Sequence, residues 1–330
     1  MSSSEKSVLI TGANGFIGSR LCRRFLDEGY DVIAGVRKTA DLSLLDGLKV
    51  TFRYGDITDP ASLPRMVEDV DYIIHNAGVV KASSRETFFN VNEIGTRNVL
   101  EAVVKRGREI KKLVYISSVA VAGPSHEDRP VIESDPPNPI TTYGESKAAG
   151  EKAAISYRDR LPIVSVRPPG VYGPGDKEMM ALFSTVNYRL ILKIGNVKRR
   201  LQLVHVDDLC RGLFLAATGK TESGAIYFIA ERKAYSIKQL MSILQKAGGR
   251  RGIPVIIPSA LFKLIAGASE MLFKLVGATP MLTREKTREL LASWEISTRR
   301  ARDELGFESK IDLEQGAKET FDWYREHGWF

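Results

Sequence analysis

The chain of 330 residues holds only two cysteines, Cys22 and Cys210. Each falls inside an apparent helix, so a disulfide framework and a cysteine-ligated metal centre are both out of reach. A long uncharged hydrophobic run is also missing. The most apolar segment, "ALFKLIAGASEMLFKLVG" at 260–277, is interrupted by Lys263, Glu270 and Lys274. It cannot supply the ~20 predominantly apolar residues of a spanning helix. The offsets of seven and four between those charges place them on one stripe of an amphipathic helix. Such a helix covers a core or a pocket, with a peripheral membrane contact as the lesser alternative. There is no internal repeat, and no low-complexity run beyond Ser2–Ser4. "MSSSEK" passes straight into a short strand, so no secretory signal is expected and a reducing cytoplasm is the default.

The net charge of +8 raises the question of nucleic acid. Lysines and arginines are spread along the chain, with only small clusters such as "VKRR" at 197–200. No recognition motif and no basic face interleaved with aromatics accompanies them, which argues against nucleic acid. A mild basic excess suits an anionic cofactor or substrate better. With 43% hydrophobic and 27% charged residues, the composition is that of a folded protein.

What is present is alternation. "SVLIT" (7–11), "DVIAGV" (31–36), "KVTFRYG" (49–55), "DYIIHNA" (71–77), "KLVYISS" (112–118) and "PIVSVRP" (162–168) read as strands. Helical patterns separate them, including the long "RETFFNVNEIGTRNVLEAVVKRG". This is the βαβ pattern of an α/β fold, a Rossmann-type doubly wound parallel sheet. A helix "HVDDLCRGLFLAAT" and a strand "AIYFIA" return to the main sheet, giving a nucleotide domain of 1–176 and 201–230. Residues 177–200 and 231–330 then form a smaller, mostly helical substrate domain. Ligands in such folds sit at the carboxyl ends of the strands.

"TGANGFIG" (11–18) follows a strand and opens a helix. Gly12, Gly15 and Gly18, three apart, with Asn14, Phe16 and Ile17 between and beside them, form a turn whose backbone N–H groups can meet a pyrophosphate. The second strand lacks the acidic residue that usually holds a ribose 2′-hydroxyl. It ends in Arg37 and Lys38, which would bond a 2′-phosphate, so NADP is favoured over NAD. Asp56, ending the third strand, can accept from an adenine amino group while Ile57 packs on the ring. Asp59 before Pro60 reads as a turn cap. Ala77 and Gly78 are small enough to let a cofactor lie close, and His75 reads as a core residue. Tyr143 and Lys147 stand four apart in "TTYGESKAAGE" (141–151), on one face of a helix.

In this order, "TGANGFIG", "GDITD", "HNAG", "YISSVAVAG", "YGESK", "RPPGVYGPGD" and "VHVDDL" resemble the extended short-chain dehydrogenases/reductases, the epimerase/dehydratase-like group. The resemblance makes Tyr143 the catalytic acid/base, Lys147 its partner and Ser118 the third member of the site. It also makes Pro168 and Val171 cofactor contacts. Asn92 resembles the family's asparagine that holds a water relay, or is a polar residue on a packed helix. Ser117 is the alternative to Ser118, but its side chain should face the other way. Free tyrosine titrates at about pH 10, and a nearby ammonium would favour the phenolate.

Dehydratases of this group carry Asp and Glu just after the catalytic hydroxyl residue, whereas here Val119 and Ala120 follow Ser118. "RLQLVHVDD" also lacks the Arg-Asp-Phe run common in nucleotide-sugar enzymes, although Arg199 or Arg200 could replace it. Residues 258–290 resemble the dihydroflavonol-reductase-like and 3β-hydroxysteroid-dehydrogenase-like members, and their apolar helix suits a pocket wall or ordinary core equally. The expectation is an NADP(H)-dependent oxidoreductase that interconverts a secondary alcohol and a ketone on a mainly apolar small molecule. A nucleotide-sugar epimerase with tightly held NAD is the alternative, and a non-catalytic NADP sensor a further one. The family also implies a homodimer through the helices at 85–106 and 142–160.

Overall fold

The computed structural model describes residues 6–127, 129–275 and 283–330, with the backbone alone for 270–275. The Ser2–Ser4 leader and the Glu270 and Lys274 side chains therefore lie outside the described residues. Seven strands make one parallel sheet, in the order 225–228, 163–167, 112–116, 72–75, 7–11, 31–36, 51–54. Strands are shorter than their apolar runs, because the flanking residues turn away to form the loops of the site. The strand at 225–228 does return to this sheet, pairing with 163–167.

Side chains alternate across the sheet with period two and build two cores. Val8 and Ile10 face one, with Leu21, Cys22 and Phe25 of helix Phe16–Asp27 and Leu209, Cys210 and Leu213 of helix Val206–Thr218. Leu9 faces the other, with Val99, Leu100 and Val103 of helix Gly95–Lys105. Helices thus cover both faces, as a parallel sheet requires. Both cysteines are free and buried, and burial pushes the Cys22 thiol up to about 12.

The order reverses at strand Ser7–Thr11, whose neighbours 31–36 and 72–75 lie on opposite sides. That reversal opens a crevice at the carboxyl ends of the strands, where a ligand can enter. The expected long helix after residue 84 is interrupted. It runs Arg85–Phe89, then a wider π-turn at Asn90–Ile94, then Gly95–Lys105.

The remaining residues are less purely helical than their sequence suggests. Strands 190–194 and 253–257 pair in parallel, and 170–172, 200–205 and 234–236 form a three-stranded sheet. A third core joins Phe183, Leu240 and Leu244 to Phe321 and Tyr324 of the last helix, Leu313–Glu326. Helix Ser259–Leu275 follows the paired strands. Among the described residues, no helix is long and apolar enough to cross a membrane.

Candidate active site

The glycine turn leaves the first strand with Gly12 at φ +65°, in the left-handed region that disfavours a side chain. The three glycines meet different constraints. A Cβ on Gly18 would lie 2.2 Å from the Gly12 carbonyl oxygen and 2.8 Å from Ala13 Cα, so only glycine lets the helix pack this close. A Cβ on Gly15 would approach only the Gly12 oxygen, at 3.4 Å, and the residue is exposed. Gly15 caps helix Phe16–Asp27 without a side-chain bond, and no acid stands in the first turn. The first backbone N–H groups of that helix thus lack intrahelical acceptors and a side-chain cap. A positive helix end with an open approach fits the pyrophosphate of a dinucleotide. Asn14 flanks this end, half-exposed, while Phe16 and Ile17 pack on the sheet.

A buried hydrogen-bond chain holds the turn against the fourth strand. Thr11 Oγ1 accepts from the N–H groups of Asn76 and Ala77, both at 3.1 Å, and pairs with His75 Nδ1 at 2.9 Å. Asn76 Nδ2 donates to the Gly12 carbonyl at 3.1 Å. On the other side, His75 Nε2 meets Thr96 Oγ1 at 3.1 Å, and Thr96 donates to the Asn92 carbonyl at 2.8 Å. Since Thr96 spends its proton on Asn92, this network assigns the imidazole proton to Nε2. Burial, with the Lys147 charge, pushes His75 down to about 3. It is a neutral joint rather than a ligand.

At the end of the second strand, Arg37 and Lys38 are exposed. Among the described residues, neither side chain has a hydrogen-bond or ion-pair partner. Asp56 Oδ1 accepts from the backbone N–H and hydroxyl of Thr58, at 2.9 and 2.8 Å. Asp59 caps the following turn by accepting from the Ala61 N–H. The Ile57 side chain is buried in the core, so close to Gly95 that a Cβ there would lie 2.7 Å from Ile57 Cδ1.

Helix Thr142–Ile155 brings Tyr143 and Lys147 to the crevice. Its start is doubly tied, because Thr141 Oγ1 accepts from the Gly144 N–H at 3.0 Å and Glu285 binds Thr142. Ser118 follows the fifth strand and caps helix Val119–Ala122 through the Ala120 N–H at 3.1 Å, and its hydroxyl stands near enough to the Tyr143 phenol to favour the phenolate. Ser117, on the other side of the strand, is buried, and its Oγ has no partner among the described residues.

Lys147 is also buried. Its ammonium donates to the Ile116 carbonyl at 2.7 Å and lies 4.4 Å from the Tyr115 ring centre. Burial pushes it down to about 7, against the opposing pull of Glu151. Tyr143 moves the other way, up to about 12. Burial dominates, Ser118 opposes it, and the Glu289 and Glu178 charges add to it. The ammonium is not among the groups that shift the phenol. The ammonium is spent on a carbonyl instead, and desolvation of the phenol prevails.

Exposed Gly78 borders both remaining groups, since a Cβ there would lie 3.0 Å from Asn92 Oδ1 and 3.9 Å from Lys147 Nζ. Asn92 Oδ1 accepts from the Val79 N–H at 2.9 Å, and its Nδ2 donates to the Val79 carbonyl at 3.0 Å and Ser146 Oγ at 2.9 Å. This amide fixes the loop beside the lysine. Pro168 accepts from the Val119 N–H at 2.9 Å, and Val171 pairs with Val204.

Two supporting residues went unread in the sequence. Glu151, four positions beyond Lys147, is buried and accepts from Arg167 Nε and Ser165 Oγ, each at 2.9 Å. Its spacing from Tyr143 and Lys147 was a usable signal. Glu285 carried none.

Comparison with known proteins places the chain in a family. The chain is 30% identical to a ceramide reductase of Caulobacter vibrioides, over 98% of this chain and 95% of that one. It is 27% identical to a 3-beta-hydroxysteroid dehydrogenase of Mycolicibacterium neoaurum, over 96% and 91%. The crystal structure of gox2253 superposes with a TM-score of 0.83 at 26% identity, over 98% and 99%. With residues 8–230 matching its pattern, the chain belongs to the NAD dependent epimerase/dehydratase family, as an NAD(P)-dependent oxidoreductase of the extended short-chain dehydrogenase/reductase type.

Proposed function

We propose that the protein is an NADP(H)-dependent oxidoreductase interconverting a secondary alcohol and a ketone on a mainly apolar small molecule. The observation that carries this reading is the placing of Ser118, at the end of the fifth strand, near the Tyr143 phenol on helix Thr142–Ile155, with Val119 and Ala120 following the serine. Two hydroxyl groups can bind and protonate one substrate oxygen. No carboxyl group follows Ser118 to expel water as a dehydratase would.

When bound, the nicotinamide dinucleotide supplies or accepts the hydride. In the reducing direction, Tyr143 gives its phenolic proton to the substrate oxygen while Ser118 donates a hydrogen bond to it. With the dinucleotide bound, the positive charges of Lys147 and of the oxidised nicotinamide would favour the phenolate left behind. Asn92 keeps the 77–79 loop in place beside that ammonium. Gly12, Gly15 and Gly18 would admit the pyrophosphate, and Arg37 with Lys38 would bond the 2′-phosphate. Asp56 holds the adenine end, with Ala77, Gly78, Pro168 and Val171 along the cofactor. Residues 177–200 and 231–330 supply the substrate side. The named activities of the two relatives, on a ceramide and a 3-beta-hydroxysteroid, support a large apolar substrate. The protein works in the cytoplasm as a homodimer formed through the helices at 85–106 and 142–160.

The test is a panel of apolar ketones offered with NADPH or NADH, following absorbance of the reduced cofactor. Faster oxidation of NADPH by a ketone supports the reading. Stoichiometric NAD released on denaturing the purified protein, with no ketone turned over, would favour the epimerase instead.

A further inference from the structure

The basic excess of this protein is confined to two stretches. Residues 179–206 and 232–269 contain twelve lysines and arginines and no aspartate or glutamate. The rest of the chain has 36 basic against 40 acidic residues, so these stretches account for the whole positive charge. Some of their cations are occupied. Arg200 pairs with Glu295 at 2.7 Å, Lys246 with Glu314 at 3.4 Å, and Arg199 is buried against carbonyls. Arg189, Arg251 and Lys263 stand exposed, and none has an acidic partner among the described residues.

The same stretches carry an unusual share of uncovered aliphatic surface. Of the thirteen large hydrophobic side chains exposed among the described residues, six are Leu190, Ile253, Ile256, Leu261, Leu264 and Ile265. Ile253, Ile256 and Leu264 are 70, 72 and 70% exposed, too open for the edge of a core. Leu190 sits beside Ile253 in the two-stranded sheet, which leads through Pro258 into helix Ser259–Leu275. On that helix Leu261, Leu264 and Ile265 follow the i, i+3, i+4 spacing of one stripe, while Phe262 and Ala266 turn inward. Lys263, Arg284 and Arg288 line a cleft of about 630 Å³ beside the stripe, with Leu264 in its wall.

We propose that this face docks the protein on an anionic membrane surface. Leu261, Leu264 and Ile265 enter the boundary between headgroups and acyl chains, and the surrounding cations meet the lipid phosphates. The charge pattern selects this occupant. Exposed aliphatics beside exposed cations match the two layers of a membrane interface, apolar beneath and anionic above. Because no described helix can span a bilayer, the contact is peripheral. The proposal does not rest on the reaction assigned above, and its test needs no turnover.

Flotation of the full protein with vesicles decides it. Phosphatidylcholine vesicles are compared with vesicles containing about 30% phosphatidylglycerol, at physiological salt and at about 1 M salt. The protein should float with the anionic vesicles alone and be released at high salt. Arg251→Glu with Lys263→Glu should weaken partitioning by roughly tenfold or more, as each reversal removes one lipid attraction and adds a repulsion. Leu261→Ser with Leu264→Ser and Ile265→Ser should weaken it comparably, since each loses apolar area. All these positions are exposed, and unchanged thermal melting of each variant shows that its fold is intact. Failure to float with anionic vesicles overturns the proposal, as does flotation indifferent to salt and to both sets of substitutions. Binding of an acidic protein in place of vesicles also overturns it.

Discussion

Glu285 holds Thr142 with both carboxylate oxygens, Oε2 accepting from the backbone N–H at 2.9 Å and Oε1 from the hydroxyl at 2.8 Å. Thr142 is the residue before Tyr143, so a side chain from the C-terminal part ties down the first turn of the helix that carries the phenol. The negative charge also suits that helix end. Glu285→Ala should cost about 0.5–2 kcal/mol, the range for a lost cap. It should also lower kcat/KM several-fold while leaving cofactor affinity unchanged. Thermal melting and steady-state kinetics on the same preparation check both.

The glycine turn makes a contrast between two substitutions. Gly18→Ala forces a methyl group to 2.2 Å from the Gly12 oxygen and should destabilise the fold by about 1–3 kcal/mol or more. Gly15→Ala meets no such contact, so its melting temperature should stay near that of the parent while dinucleotide binding weakens. Calorimetric titration with NADPH, paired with melting, separates the two. Equal effects on stability would contradict the reading of Gly15 as the open approach.

Among the described residues, the Arg37 and Lys38 side chains stand without partners at the end of the second strand. If they meet a 2′-phosphate, Arg37→Ser with Lys38→Ser should weaken NADPH binding by roughly tenfold or more, from the loss of charge-assisted hydrogen bonds. NADH binding should barely change. The ratio of the two dissociation constants is the readout.

Much of this was legible because it is local. Alternating short strands gave the parallel sheet, and glycines three apart after a strand gave the turn at its carboxyl end. The four-residue spacing placed Tyr143 and Lys147 on one face, and period two separated Ser118 from Ser117. What escaped depends on distant contacts. Glu285 lies 143 positions from Thr142, in a segment with no motif, and only folding brings it there. The packing of Ile57 against Gly95, whose missing side chain makes room for it in the core, is likewise a distant contact. Spacing also shows the proximity of Tyr143 to Lys147 but not the Ile116 carbonyl that takes the ammonium. The π-turn at Asn90–Ile94 also had no signature in the apolar pattern, which continues through it.

Burial of Lys147 has a consequence for stability. Its protonated form is disfavoured in the folded chain, where it titrates at about 7 instead of the usual 10.5. Between those values the unfolded chain holds a proton that the folded one has released, so folding gains stability as pH rises through that window. Lys147→Met lacks this contribution. Without cofactor, the parent should therefore gain on the variant from about pH 7 to about pH 10, by up to about 1.4 kcal/mol per pH unit. Denaturant titrations across that range check it. Parallel stability curves would mean that the ammonium is solvated.

The most direct measurement compares the parent with Tyr143→Phe, using NADPH and whichever ketone the panel shows to be reduced. The substitution removes one oxygen and leaves the ring that packs near Phe88. NADPH affinity should be retained while kcat falls by about 10²–10⁴, the range for losing a positioned acid. Unchanged turnover with intact cofactor binding would contradict the assignment of proton transfer to this phenol.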